Sequence, residues 1–261
     1  MKKRIVVCGY PKSGNTWLVR LIAEAINCPV AGFWCEPLHD EGGKEGLDRV
    51  SQYACYKAHH SHEQLQETFR HYANGSEKVV YIVRDPRDVV ISASAFFGAP
   101  PRYRLLFDAF GLFPRGKSFY RRLFNSKIYV HDFMIQVVLN GSDYGAWLST
   151  PWKKHVDEYI KSGIMIVRYE DLLSDAVSEM KRILDYIGVS KSLDEIVAAV
   201  NSQSFENKRK KLEADGDYGR LHFLRNGNKG QYISQLTVLQ CKRMEQDLTE
   251  ILKTFEYEVG Q

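Results

Sequence analysis

Nine residues near the start of the chain have the types and spacing for phosphate chemistry: Gly9-Tyr10-Pro11-Lys12-Ser13-Gly14-Asn15-Thr16-Trp17. The apolar run Ile5-Val6-Val7-Cys8 before them predicts a buried strand. Apolar residues at Trp17, Leu18, Leu21, Ile22, Ala25 and Ile26 follow at helical spacing. A strand, a glycine-bearing loop and a helix N-terminus make an anion site, because backbone N–H groups and the helix dipole point the same way. Nucleoside-triphosphate loops follow G-x-x-x-x-G-K-[ST]. Gly9 and Gly14 have that spacing and Thr16 supplies the hydroxyl, but Asn15 stands where the lysine belongs and Lys12 lies inside the loop, beside Pro11. Lys12 can still touch a phosphate, in a geometry unlike that of an ATPase or kinase.

Two further segments carry anion chemistry. The apolar run Val79–Val83 ends in Arg84-Asp85-Pro86-Arg87-Asp88-Val89-Val90-Ile91-Ser92. Asp85 followed by Pro86 is a helix start, an N-cap acceptor and then a residue with no N–H to lose. That puts Arg84 at the C-terminal edge of the sheet, where α/β folds take ligands, with Ser92 about two turns into the helix. A guanidinium and a hydroxyl suit a phosphate. Near the other end, Arg225-Asn226-Gly227-Asn228-Lys229-Gly230 makes a cationic, glycine-bearing loop able to fold over an anion. Between these lies Tyr56-Lys57-Ala58-His59-His60-Ser61-His62. Its histidines do not make an evident metal set, since His59 and His60 are adjacent and no carboxylate or cysteine completes one. A histidine at a strand end beside a lysine and a phosphate loop is better placed as a general base.

The elements that must position these residues form one pattern. Ile5–Cys8, Tyr53–Tyr56, Val79–Val83 and Ile164–Val167 predict parallel strands buried on both faces. Helical periods cover Asn15–Asn27, His62–Tyr72, Pro86–Phe96, roughly Ile128–Leu139, Gly145–Lys161, Ser174–Ile187, Ser192–Val200 and Ser234–Thr254. Alternation of this kind predicts an α/β fold, a three-layer α/β/α sandwich around a mainly parallel sheet, as a single domain over residues 1–261. The segment Gly98–Lys127 has no clean period and carries Pro100-Pro101 with many aromatic and basic residues, which marks a substrate-facing lid or an insertion at the surface. With 36 Lys and Arg against 32 Asp and Glu, the net charge of +4 suits a small polyanion and is too weak to argue for nucleic acid. The longest apolar runs are far shorter than a membrane span. The apolar stretch after Met1-Lys2-Lys3-Arg4 is too short for a signal peptide. Five scattered cysteines without a C-x-x-C pair predict neither a zinc knuckle nor a disulfide framework, and a reducing, cytoplasmic setting is expected.

In this order the motifs resemble the family of sulfotransferases that use 3′-phosphoadenosine 5′-phosphosulfate (PAPS). Tyr10–Trp17 resembles the family's 5′-phosphosulfate loop, and Arg84 through Ser92 its 3′-phosphate segment. Lys57-Ala58-His59 is similar to the K-T-H of the cytosolic branch, Tyr169-Glu170-Asp171 to its Y-E-D stretch, and Arg225–Gly230 to its R-K-G-x-x-G motif. The resemblance implies that Lys12, Ser13, Gly14, Asn15 and Thr16 hold the 5′-phosphosulfate. It implies that Arg84, Ser92, Arg225, Asn226 and Gly227 hold the 3′-phosphate, and that Trp17, Tyr169 and Phe205 surround the adenine. His59 would be the catalytic base, Lys57 would stabilise the transferring group and Lys12 the departing phosphate. No metal is required, and 3′-phosphoadenosine 5′-phosphate (PAP) is the product. Asn226 replaces the usual lysine and Gly230-Gln231-Tyr232 replaces G-D-W. The family's dimer motif K-x-x-x-T-V-x-x-x-E keeps Thr237-Val238 but has Ile233 and Lys242 at its ends, which puts the usual dimer in doubt.

The expected acceptor is a small molecule offering a hydroxyl or amine, such as a secondary metabolite or toxin, with no nucleic acid or membrane partner. Glu36, Asp40, Asp108 and Asp132 leave room for a cationic one. Two rivals stay open on the residues alone: a P-loop kinase acting on a small metabolite, which Asn15 and the displaced Lys12 oppose, and a non-catalytic nucleotide-binding module, which Lys12 and His59 oppose.

Overall fold

Strand β1 (Lys3–Cys8) lies at the centre of the sheet and its last four residues are buried. It pairs in parallel with β4 (Tyr53–Ala58) on one side and β5 (Lys78–Val83) on the other. Outside them β2 (Val30–Phe33) runs parallel to β4, β6 (Met165–Arg168) parallel to β5, and the short β3 (Lys44–Glu45) antiparallel to β2. The order is β3-β2-β4-β1-β5-β6. The chain leaves β1 toward β2 and β4, then returns past β1 to β5, so a ligand crevice belongs at the C-terminal end of β1. These facts come from a computed structural model that describes residues 2–35, 43–98, 127–142, 146–214, 216 and 227–260.

The helices, in chain order, are α1 (Asn15–Ala25), α2 (His62–Tyr72), α3 (Pro86–Phe97), α4 (Lys127–Asn140), α5 (Trp152–Ser162), α6 (Tyr169–Ser174), α7 (Ala176–Ile187), α8 (Leu193–Ser202), α9 (Phe205–Ala214), α10 (Tyr232–Gln235) and α11 (Val238–Thr254). Alternate residues of a strand face opposite sides, and β5 shows both sides covered. Val80 and Ile82 join Leu18 and Ile22 of α1 and Ile183 of α7 in one buried cluster. Tyr81 instead stacks on Tyr159 of α5, with ring centroids 4.0 Å apart. The predicted sandwich is therefore the observed one.

The chain separates into two compact units, Met1–Arg84 with Val156–Asn228, and Asp85–His155 with Lys229–Gln261. The first holds the whole sheet. In the second, the Arg87 side chain is fully buried. It donates to Asp85 Oδ2 and to Glu245 Oε1, each at 2.7 Å, and its guanidinium lies 4.0 Å from the centroid of the Tyr232 ring.

Several boundaries differ from expectation for local reasons. The helix expected over Gly145–Lys161 is a single 3-10 turn at Ala146–Leu148 and then α5, because Pro151 cannot continue the earlier turn. The helix expected over Ser234–Thr254 is two, α10 and α11. Thr237 caps the second through a reciprocal box with Gln240 and so ends the first. Asp175 likewise caps α7 and divides it from α6. The lid segment's residues 99–126, together with Glu36, Asp40 and Asp108, lie outside the described residues.

Candidate active site

The loop after β1 leaves no room for side chains at its glycines. A Cβ at Gly9 would lie 2.5 Å from the Ile82 carbonyl oxygen, and one at Gly14 would lie 2.6 Å from Tyr169 Cδ2. Lys12 adopts φ 71° and Gly14 φ 104°, so the backbone turns back on itself before α1 begins. Gly14 is the N-cap of α1 and supplies no side-chain acceptor. The first-turn N–H groups of a helix have no partner within the helix, and this end carries the positive pole of the dipole. Ser13 is fully buried, and its Oγ has no hydrogen-bond partner among the described residues. An uncapped helix end and an unpartnered buried hydroxyl in one loop fit an oxyanion group.

Asn15 is turned away from that cradle. Its Nδ2 donates to the carbonyls of Gly9 at 2.8 Å and Ala58 at 3.2 Å, and the side chain is buried. One of these carbonyls, that of Gly9, also meets His59. Its Nδ1 lies 3.0 Å from Gly9 O, a group that can only accept, so Nδ1 carries the proton and the basic lone pair falls on Nε2. Asn15 Nδ2, 3.3 Å from His59 Nδ1, has both hydrogens committed to carbonyls. Lys57, two residues earlier on β4, donates to Thr16 Oγ1 at 3.2 Å, and its Nζ lies 4.1 Å from the centroid of the Phe33 ring.

Behind His59, Tyr159 Oη is 2.9 Å from Cys8 Sγ and 3.1 Å from the His60 carbonyl, which also accepts from the Cys8 thiol at 3.2 Å. Burial pushes the Tyr159 phenol well above its ordinary range, so it stays a neutral donor. Burial holds His60 below the ordinary histidine value. These contacts pin the end of β4, and nothing in the spacing of Cys8, His60 and Tyr159 announces them.

Arg84 joins distant pieces of the first unit. Its guanidinium donates to the Lys12 carbonyl at 3.3 Å and the Asn228 carbonyl at 3.0 Å, and lies 4.4 Å from the Tyr169 ring centroid. In this segment Asp85 pairs with Arg87 at the helix cap. Tyr169 meets Trp17 edge-on at 5.8 Å, and Trp17 meets Phe205 at 5.3 Å. Gly227 (φ 55°) packs so closely on Phe205 that a Cβ there would overlap the ring. The three aromatic residues expected around one base are therefore neighbours. Gln203 was not anticipated: its carbonyl accepts from Trp17 Nε1 at 3.3 Å, and its buried Oε1 has no partner among the described residues. Ser92 falls in the second unit, half-buried on α3. Arg225 and Asn226 lie outside the described residues. Asp132 accepts from Gln240 Nε2 at 2.7 Å and is occupied within the second unit. Of the dimer motif, Thr237 serves as the α11 cap, while Ile233 and Val238 are exposed. Cys8 and Cys55 lie in the core. No described helix is long and apolar enough to cross a membrane.

Phosphate-binding α/β proteins carry their anion loop in this position, at the C-terminal end of a central strand and the start of a helix. Comparison with known proteins narrows that class. Residues 2–256 match the family described as Sulfotransferase domain, and the chain belongs to it, as an enzyme of the sulfotransferase type. Among its relatives, Sulfotransferase 2A6 of Mus musculus is 21% identical over 258 residues, covering 92% of this chain and 81% of the relative. Sulfotransferase 6B1 of Danio rerio is 24% identical over 259 residues, covering 93% and 76%. Among solved structures, mouse sulfotransferase SULT7A1 complexed with PAP superposes with a TM-score of 0.66 at 20% identity, covering 97% of this chain and 85% of that one. Retinol dehydratase in complex with androsterone and inactive cofactor PAP gives 0.62 at 17% identity, covering 100% and 83%.

Proposed function

We propose that this enzyme moves a sulfuryl group from PAPS to a hydroxyl or amine of a small-molecule acceptor and releases PAP. The observation that carries the proposal is one continuous contact chain in the first unit, from the Lys12 carbonyl through Arg84 and Tyr169 to Trp17 and Phe205. It links an oxyanion cradle to an aromatic slot, as an adenosine nucleotide with a 5′-phosphosulfate requires. Lys12, Ser13, Gly14 and Thr16, with the Asn15 N–H, would hold the phosphosulfate. Trp17, Tyr169 and Phe205 would flank the adenine, with Gln203 Oε1 an acceptor for its amino group. Arg84 would serve the 3′-phosphate, and Ser92, Arg225, Asn226 and Gly227 are assigned to it by resemblance. PAP in the SULT7A1 and retinol dehydratase complexes supports this choice of donor. Androsterone in the latter supports a small-molecule acceptor.

In the transfer, an acceptor oxygen or nitrogen forms a bond to sulfur while the bond from sulfur to the bridging phosphate oxygen breaks. The acceptor proton passes to His59 Nε2, and the electron pair leaves with the 5′-phosphate of PAP. Lys12 and Lys57 offset the charge that develops, so that the residues themselves supply what Mg²⁺ supplies in phosphoryl transfer. Calorimetric titration with PAP and with ATP, each with EDTA, tests the donor. PAP should bind without metal and ATP should not compete. Turnover of labelled PAPS with a panel of hydroxyl and amine acceptors tests the reaction. His59→Ala should keep PAP affinity and lose about 10²–10⁴-fold in turnover, the usual worth of a positioned base. A variant that retains turnover would remove His59 from this role.

A further inference from the structure

Strand β2 does not pair with β4 in one unbroken register. Val30 is the partner of Cys55, but Phe33, three residues further along β2, is the partner of Lys57, two residues further along β4. Gly32, inside this shift, takes φ 109°, a left-handed backbone that glycine adopts at little cost. Successive side chains of a strand alternate between faces. Continued from Val30 without the shift, Phe33 would fall opposite Ala58, on the other face of the sheet from Lys57. One extra residue in a strand moves the side chains that follow to the opposite face, and here it puts the Phe33 ring beside Lys57. The Trp34 N–H donates to the Lys57 carbonyl at 2.8 Å and holds the pairing beyond the shift. Three groups are gathered as a result. Lys57 Nζ lies 4.1 Å from the centroid of the Phe33 ring, and the His59 ring centroid lies 6.1 Å from the same point, tilted by 53°. Thr16, in the loop after β1, accepts from that Nζ at 3.2 Å.

We infer that Phe33 is a positioning residue for Lys57: its ring face holds the ammonium beside Thr16, where the PAPS proposal has the sulfuryl group pass to the acceptor. The inference rests on that proposal and adds to it a residue that acts through another. A lysine carries a compact charge on a long, flexible stem, and the Thr16 hydroxyl directs it by one hydrogen bond. An aromatic face attracts a cation within about 6 Å of its centroid. It limits where Nζ can go without taking up an N–H donor in an ordinary hydrogen bond, so those donors are left for the oxygens of the transferring group. A carboxylate in the same place would hold the lysine but cancel its charge toward an anionic donor. A leucine would fill similar space and attract nothing.

The test is steady-state turnover of PAPS with the panel of hydroxyl and amine acceptors, in the parent enzyme, Phe33→Leu, Phe33→Trp and Lys57→Met. Phe33→Leu should lose about 5–30-fold in kcat, the worth of a partly buried cation–π contact, with acceptor KM and PAP affinity within about twofold of the parent. Phe33→Trp keeps an aromatic face and should stay within about threefold of the parent. In the Lys57→Met background the leucine should cost nothing further, because the ring then has no cation to hold. Mono-, di- and trifluorinated phenylalanine at this position give a second reading that needs almost no change of shape. The kcat should fall stepwise as fluorine draws negative charge from the ring face. An acceptor KM that rises while kcat holds would make Phe33 a wall of the acceptor site and overturn the positioning role. A fully active Lys57→Met, an additive loss in the double variant or a flat fluorine series overturns it too. Each of these leaves the choice of PAPS as donor standing, whereas a parent enzyme that turns over no acceptor overturns both.

Discussion

Replacing Gly14 by alanine should damage the donor site through Tyr169 and not through any lost ligand contact. Gly14 sits at φ 104° and ψ 9°, and a Cβ built there lies 2.6 Å from Tyr169 Cδ2, 3.1 Å from its Cε2 and 3.2 Å from Ile82 Cδ1. The left-handed backbone costs an alanine about 1–2 kcal/mol. The ring contact is about 1 Å closer than carbon atoms normally approach, and overpacking of that kind costs about 1–3 kcal/mol. A stiffer unfolded chain returns about 0.4–1 kcal/mol. The net loss is roughly 1–5 kcal/mol, or a fall in Tm of roughly 2–20 °C at the usual conversion for chains of this size. Tyr169 has little freedom to yield. It is 3% exposed, with Arg84 lying against its ring and Trp17 at its edge, so its displacement should move both.

Gly188 provides the matching control. It has φ 77°, and a Cβ there meets no heavy atom within 4 Å. Gly188→Ala therefore carries the backbone cost without the collision, about 1 kcal/mol after the unfolded-state gain. The difference between the two variants isolates the Tyr169 contact at about 1–3 kcal/mol. Thermal denaturation and PAP titration read the two consequences separately. Gly14→Ala should lose both stability and at least about tenfold in PAP affinity, ~1.4 kcal/mol, whereas Gly188→Ala should lose only a little stability. If the two variants show the same Tm and the same PAP affinity, the packing of Tyr169 on the loop does not hold the site together, and the reasoning fails.

Asn15→Ala removes two buried donors to the Gly9 and Ala58 carbonyls and should cost about 1–3 kcal/mol of stability while leaving PAP affinity near that of the parent. A large loss of PAP affinity without loss of Tm would mean that the side chain faces the ligand after all. Burial holds His60 and His131 below the ordinary value of 6.5, with Lys127 pushing His131 the same way. Between their folded values and 6.5 the unfolded chain binds more protons, so the stability they contribute is complete above about pH 6.5 and is lost as pH falls through that window. The Tm should therefore drop between about pH 7.5 and pH 5.5, and His60→Gln combined with His131→Gln should flatten that interval; an unchanged slope would assign the acid sensitivity to other groups.

What was legible in the sequence follows the range of the interactions involved. β1, β4 and β5 announce themselves because strands covered on both faces must be continuously apolar. β2 and β3 do not. Val30–Phe33 is short, follows Pro29 and contains Gly32, and Lys44-Glu45 has no apolar residue at all. Both are strands because β4 and β2 offer them partners. Helix ends were legible to within a residue or two where a cap is local, as at Ser61, Asp85 and Ser192. They were missed where a break interrupts an otherwise helical period, as at Pro151 and Thr237. The neighbourhood of Trp17, Tyr169 and Phe205 came from family resemblance alone, since no local pattern relates positions so far apart. The inward turn of Asn15 was equally invisible, because it depends on where β4 places the Ala58 carbonyl.

Asn15 and Asp88 answer the same physical problem with opposite polarity. A loop that grips an anion must leave some of its N–H groups unsatisfied until the ligand arrives, and its remaining backbone groups must be satisfied by something other than a regular ladder. After β1, the groups left over are carbonyls, and the residue that meets them is a donor: Asn15 reaches Gly9 and Ala58. After the Gly227 loop, the groups left over are N–H groups, and the residue that meets them is an acceptor: Asp88 reaches Gly230 and Tyr232. Each side chain is buried, and each stands in the first turn of the helix that follows a central strand. A lysine at position 15 could not replace Asn15 in this arrangement without an unpaired charge among carbonyls, and an asparagine at position 88 would present a donor to a donor. The departure of Asn15 from the triphosphate loop and the buried acid that meets Gly230 and Tyr232 are thus two forms of one requirement, that irregular backbone be satisfied by a side chain of the opposite polarity.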